Sequence, residues 1–351
     1  MQDRSSLHIL LYISIILNIA LAGTVYYFYQ YKISSLTPLS TEQDIEKELP
    51  LQKYSYKKLK ETTFAPQEME FGELEETTED LSYESRKFYY QVEGKKMSGI
   101  VHFPKEAGTY PVLVMFRGYV DAEIYEPGVG SNPAARYFAE NGYITLAPDY
   151  FGYAESDLPP TEPFADRLIS YPTALQLIAN IKQLNDSFEE YNITQTADVK
   201  QIGIWAHSNG GQIALSALIA SGNNYPTVLW APVSKSFPYS VLYFTDEFDD
   251  NGRYIRKLIS EFEKTYDIES FSLTNYLDWI KAPIQLHQGA QDDAVPIKWS
   301  NQLNDVLIEN DIEVEYITYP DADHNMRPDW DKAAASSLEF FEKNLKEKNN
   351  Q

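Results

Sequence analysis

The residues best equipped for chemistry lie in Ile202-Gly203-Ile204-Trp205-Ala206-His207-Ser208-Asn209-Gly210-Gly211, where an apolar run ends at a serine and passes straight into paired glycines. A serine hydroxyl is a weak nucleophile unless it stands clear of the sheet beside a base. A strand that turns sharply into a helix provides this, lifting Ser208 above the strand end with a helix N-terminus behind it. Neighbouring backbone crowds such a turn, so small residues are needed two places before and two places after the serine. Ala206 and Gly210 fill those places, giving Ala-x-Ser-x-Gly where glycine is the commoner first residue. Five residues alone would equally suit an ordinary glycine-containing helix start. The apolar run before them and the helical spacing after them favour a nucleophile, whose chemistry is attack on an ester or amide carbonyl.

Such a serine needs a base and an acid to orient it, in the chain order Ser, Asp, His for this kind of turn. The chain has 5 histidines. His8 falls in an apolar N-terminal segment, His102 in an early strand, and His207 beside the serine, where its side chain is expected to point away. His287 closes a later strand and reads as packed or hydrogen-bonded. That leaves His324, in Tyr319-Pro320-Asp321-Ala322-Asp323-His324-Asn325-Met326, on a loop between the last strand and the last helix. Ahead of it, Gln288-Gly289-Ala290-Gln291-Asp292-Asp293-Ala294-Val295-Pro296 offers two adjacent carboxylates. Paired aspartates often only make a turn or cap, but one of these stands where it would fix the imidazole tautomer of His324.

Short apolar runs that alternate with helical stretches must position these groups. Residues 88–92 and 98–103 read as a hairpin around Glu93-Gly94, and 112–116, 143–147, 201–205, 227–230, 284–287 and 314–318 as further strands. Several are almost continuously apolar, as strands buried on both faces should be. Helical spacing marks 132–141, 164–184, 210–221, 300–310 and 331–346. The alternation predicts an α/β fold, a mostly parallel sheet with helices on both faces. An aromatic, acidic interval at about 233–280 interrupts the rhythm and reads as a cap-like insertion.

Composition narrows the function. With 52 acidic against 29 basic residues the net charge is −23, a field that repels a nucleic-acid backbone, so no nucleic-acid partner is expected. Without cysteine there is no disulfide, thiolate metal site or cysteine nucleophile. From Arg4 to Lys32 no charged residue intervenes, and 9–28 is nearly all apolar, long enough to span a bilayer. Residues 1–31 therefore read as an N-terminal transmembrane anchor with the rest of the chain extracytoplasmic. The alternative is a signal peptide cleaved near Ala20-Leu21-Ala22, which would release a secreted protein. Residues 32–66 are polar and read as a stalk, and the acidic stretch that follows, Glu73 to Glu84, as solvated surface. The remainder, 67–351, forms the main domain.

Five blocks in order, 111–119, 147–157, 202–211, 286–296 and 319–326, resemble the catalytic domain of α/β-hydrolases of the prolyl oligopeptidase-related group. That group includes acylaminoacyl and dipeptidyl peptidases and esterase-like relatives. The resemblance spans roughly residues 85–345 and implies an α/β-hydrolase fold. It implies Ser208 as nucleophile, Asp292 as acid with Asp293 as runner-up, and His324 as base. It also implies an oxyanion hole built from the Asn209 N–H and from Tyr119, through its N–H or its phenol. The family usually reads His-Gly-x where this chain reads Arg117-Gly118-Tyr119, and Arg117 reads as a surface charge or as a clamp for an acidic substrate group. Asp149-Tyr150-Phe151-Gly152 reads as a structural turn near the site.

The expected activity is cleavage of peptide or aminoacyl amide bonds through an acyl-enzyme, with carboxylic ester hydrolysis as the alternative. Exopeptidases of the group carry an N-terminal β-propeller. A stalk stands in its place here, so their size filter and chain-end recognition do not carry over. A surface binding module on an inactive hydrolase fold is the alternative of another class. No metal or organic cofactor is implied. The expected partners are a small peptide or ester substrate and, through the N-terminal helix, the membrane.

Overall fold

The structure, a computed structural model, describes residues 49–76, 81–245 and 248–346. Strands β1 (Glu70–Glu76), β2 (Tyr83–Val92) and β3 (Lys95–Pro104) pair antiparallel in sequence order. Next come β4 (Thr109–Phe116), β5 (Ile144–Pro148), β6 (Thr196–His207), β7 (Thr227–Trp230), β8 (Ile284–Gly289) and β9 (Val314–Tyr319). The 9-stranded sheet has the order β1-β2-β3-β5-β4-β6-β7-β8-β9, and every pairing from β5 onward in that order is parallel. The α/β-hydrolase arrangement expected from sequence is the one observed.

Side chains on successive strand residues point to opposite faces, so each parallel strand contributes to two cores. Val112, Val114, Phe116, Ile204 and Leu286 join one apolar cluster with the helices Ser170–Asn180 and Asn209–Ser221. Leu113, Met115, Trp205 and Val228 join the other with Asn132–Glu140 and Trp330–Phe341. Register matters most for function. Phe116 stands opposite Ala206, His207 opposite Trp230, Trp230 opposite His287 and Gly289 opposite Tyr319. The parallel strands thus end level with one another, and the loops leaving them share one edge of the sheet, where open α/β sheets place their sites.

Several expectations need correction. The stalk reading of 32–66 fails in its second half, because the compact unit begins at Leu49. The helix Tyr56–Glu61 buries Tyr56 and Leu59 against Asn209–Ser221, and the Tyr56 hydroxyl lies 2.7 Å from Ser216 Oγ. Asn209–Ser221 is buried nearly all round, so its outer side needed this cover. Part of the acidic stretch is the edge strand β1, with Phe71 turned inward and Glu73 and Glu75 exposed, charges that suit a sheet edge.

The helix expected over 164–184 is divided at Ile169 and again at Ile181. Pro172 has no N–H to give and clashes with the preceding turn, so it sits in the first turn of a new helix. In the 233–280 interval Phe237, Ile259, Phe262, Phe271, Leu273, Leu277 and Ile280 belong to the main core, and Val241, Leu242, Ile255 and Leu258 of the helices Tyr239–Leu242 and Arg253–Glu263 pack against it. Among the described residues no helix is long and apolar enough to cross a membrane. The expected anchor, residues 1–31, lies outside the described residues.

Candidate active site

Strand β6 ends at His207 and the next helix begins at Asn209, so Ser208 alone makes the turn, at φ 55° and ψ −121°. A non-glycine residue there is strained by about 1–3 kcal/mol, and the surroundings must hold it. They do so through backbone bonds of 2.9 Å each: Ser208 N–H donates to Trp230 O, while Gly211 and Val233 N–H donate to Ser208 O. The glycines permit close approach, since a Cβ on Gly210 would lie 2.0 Å from Phe116 O and one on Gly211 2.4 Å from Pro232 Cβ. Ala206, buried within β6, accommodates its methyl group.

The loop after β4 comes to the same point. A Cβ on Gly118 would stand 2.9 Å from Ser208 Cβ and 3.4 Å from its Oγ. Asn209, the first helical residue, carries one of the N–H groups that a helix start leaves without an internal partner. Tyr119 is 76% exposed, and its phenol donates to Asp121 Oδ1 at 2.7 Å. A cleft of about 270 Å³ is lined by Gly118, Tyr119 and Asn209 together with Tyr150, Phe151 and Tyr171. No residue of 233–280 lines it among the described residues, so the expected cap does not form its wall.

On the other side of the serine, the Asp292 side chain is wholly buried and accepts from His324 Nδ1 at 2.9 Å. It also accepts from Gln288 Nε2 at 2.8 Å and from the N–H groups of Ala294 and Val295 at 2.9 and 2.8 Å. Burial pushes its carboxyl up, but the bonds from His324, Val295 and Gln288 outweigh this and hold it below its ordinary value. Asp293, the runner-up, is exposed. The His324 loop packs tightly on β8, because a Cβ on Gly289 would fall 2.3 Å from Ala322 O. Ala322 and Met326, either side of the histidine, are buried plugs. Ser208 Oγ makes no hydrogen bond to a protein atom among the described residues, a looseness common before a ligand draws nucleophile and base together.

Sequence reasoning missed two residues of this neighbourhood. His207 does not simply turn away: its Nε2 lies 2.9 Å from His324 O, with the two rings 4.7 Å apart. Burial, with His324 beside it, lowers its pKa to about 4, so the ring is neutral and its one proton sits on Nε2, where the carbonyl needs a donor. Arg117 is no surface charge. It is 4% exposed and hydrogen-bonded to Gly118 O and Asp149 O. A strand-end position followed by glycine was the one available signal for it. Among the described residues the two remaining histidines have partners of their own. Burial lowers His102 to about 4 beside Ser85 and Asn132, and lowers His287 to about 3 between Tyr319 and Gln285.

Comparison with known proteins adds a family and a fold. A model of the prolyl oligopeptidase family matches residues 169–348. No curated protein matches the chain. Among solved structures, the acetyl xylan esterase from Paenibacillus sp. R4 is 18% identical, with a TM-score of 0.56 over 81% of this chain and 91% of that one. The acylaminoacyl peptidase of Pyrococcus horikoshii is 19% identical, with a TM-score of 0.56 over 76% of this chain but 42% of its own. A puromycin-hydrolyzing peptidase of Mycobacterium tuberculosis is 20% identical, with a TM-score of 0.54 over 74% of this chain and 39% of its own. The chain therefore spans about two fifths of each peptidase and about nine tenths of the esterase.

Proposed function

The chain belongs to the prolyl oligopeptidase family and is a serine hydrolase, and from that premise we propose that Ser208, His324 and Asp292 form its catalytic triad and cleave peptide or aminoacyl amide bonds. The observation that carries the reading is the His324–Asp292 bond of 2.9 Å at the same sheet edge as the strained Ser208 turn. Ser208 Oγ attacks the carbonyl carbon while His324 Nε2 takes the hydroxyl proton. Asp292 keeps the remaining imidazole proton on Nδ1 and stabilises the imidazolium that forms. The tetrahedral oxyanion is received by the N–H groups of Asn209 and Tyr119. Collapse breaks the bond to the leaving group, which departs with the proton from His324. Water then repeats the sequence on the acyl-enzyme and frees Ser208.

Ester hydrolysis is the second reading, favoured by the near-complete overlap with the acetyl xylan esterase and by a cleft of only about 270 Å³. Residues 9–28 are proposed to anchor the chain with its catalytic unit extracytoplasmic, on the strength of their length and lack of charge.

The test is fluorophosphonate labelling of the full chain beside Ser208→Ala. Labelling of the parent alone is expected, with the label in the membrane fraction; label in the medium would mean a cleaved leader. Absence of label from a folded parent would sink the catalytic reading in favour of a binding module. Steady turnover of aminoacyl anilides supports peptidase activity, whereas turnover confined to short acyl esters supports esterase activity.

A further inference from the structure

We propose that Arg117 is a positioning residue that locks the Gly118–Tyr119 peptide, so that the Tyr119 N–H faces the oxyanion formed at Ser208. The proposal rests on the serine-hydrolase reading of Ser208. Arg117 follows directly on β4, and the residue is 4% exposed. A buried cation is costly unless its donors are satisfied, and a carboxylate is the usual partner. Here Arg117 makes no ion pair among the described residues. Its Nη1 donates to Gly118 O at 2.9 Å and its Nη2 to Asp149 O at 2.7 Å. Its Nε has no partner among the described residues; its Cζ lies 4.4 Å from the Tyr125 ring centroid and 4.3 Å from that of Tyr153, and the Asp149 carboxylate is near enough to interact with the charge.

What this does follows from peptide geometry. In a trans peptide the C=O and the N–H of one plane point in opposite directions. The carbonyl held by Arg117 belongs to the plane whose N–H is that of Tyr119, so gripping one end aims the other away from the arginine. Gly118 itself lies against Ser208, close enough that a Cβ would stand 2.9 Å from Ser208 Cβ and 3.4 Å from its Oγ. Glycine makes the approach possible but leaves the plane free to rotate, and a peptide beside glycine needs an external lock to hold one orientation. The lock is itself anchored. Asp149, whose carbonyl takes the second arginine bond, has its carboxyl held by Ser98 Oγ and Tyr125 Oη at 2.6 Å each. This chain of contacts ties the loop after β4 to β3 and to the end of β5.

A clamp for an acidic substrate group is the rival role, since Arg117 also borders the cleft. Arg117→Met and Arg117→Lys in the full chain separate the two, assayed on a neutral and an acidic acyl substrate alongside the rate of fluorophosphonate labelling. Positioning predicts that Arg117→Met lowers kcat by about tenfold to a hundredfold on both substrates, with KM nearly unchanged and labelling slowed in parallel. Arg117→Lys keeps the charge among the tyrosines and reaches only one carbonyl, so a smaller loss of the same kind is expected. A loss confined to KM for the acidic substrate overturns positioning in favour of the clamp. If Arg117→Met does not fold, Arg117→Lys decides alone, and parent-like kcat in that variant overturns the proposal. A parent that labels beside folded variants that label equally fast removes the arginine's role only. A parent that does not label removes the serine reading and this inference with it.

Discussion

The turn that presents Ser208 and the loops that present Asp292 and His324 lie at one sheet edge but are held there by different forces. The serine's turn is fixed by backbone hydrogen bonds and by steric contact, with no side-chain hydrogen bond among the described residues. Gly210 and Gly211 touch Phe116 O and Pro232, and Gly118 touches Ser208 itself, so segments leaving β4, β6 and β7 meet with no room for one more carbon. The histidine's loop has one such contact, Gly289 against Ala322 O, and adds to it a set of side-chain hydrogen bonds: Asp292 to the imidazole, His207 to the His324 carbonyl, and Asp323 Oδ1 to the N–H groups of Asn325 and Arg327. Contact sets a position sharply and fails all at once, whereas hydrogen bonds fail one at a time. The nucleophile side should therefore lose fold and rate together, and the acid–base side should lose rate while the fold survives.

The largest effect tests the acid–base side. Asp292→Asn is expected to cut kcat by about ten-thousandfold with the fold retained, because an amide no longer holds the imidazole proton on Nδ1. Asp293→Asn, at an exposed position, should stay within about twofold of the parent. Equal effects from the two would show that the buried carboxylate is not the one that matters.

Gly210→Ala tests the steric side. Its new methyl group would meet Phe116 O at 2.0 Å, which backbone cannot yield to without moving the turn. A fall in kcat of about a hundredfold, with a loss of roughly 1–3 kcal/mol in urea-monitored stability, is expected. A variant of parental stability and rate would refute the steric account.

The smallest effect is that of His207→Phe, which keeps a ring against His324 and removes only the N–H bond to its carbonyl. One hydrogen bond of about 1 kcal/mol corresponds to a roughly fivefold to tenfold loss of kcat, with the melting temperature little changed. If stability falls and kcat does not, His207 braces the domain rather than the base.

Much of this arrangement was legible beforehand. The apolar runs of β4 to β8 stood out because strands buried on both faces show no polar alternation, and the serine turn stood out because its glycines answer a local crowding problem. Strand β1 did not stand out. It is an edge strand whose exposed residues are acidic, and only Met69 and Phe71 near its start betray an inward face. Tyr56 and Leu59 were hidden for a related reason: a single helical turn with two apolar residues resembles a polar linker until the bare flank of Asn209–Ser221 is seen beside it.

The sequence by itself determined the alternation of strand and helix and the order of serine, aspartate and histidine, because hydrophobic period and turn chemistry are properties of neighbouring residues. Only the tertiary structure decided which of two adjacent aspartates meets the imidazole, that His207 reaches a carbonyl 117 residues away, and that Arg117 is buried among tyrosines rather than hydrated. Burial and the choice of hydrogen-bond partner depend on atoms distant in the chain, and those meet only when the sheet and its loops close on one another.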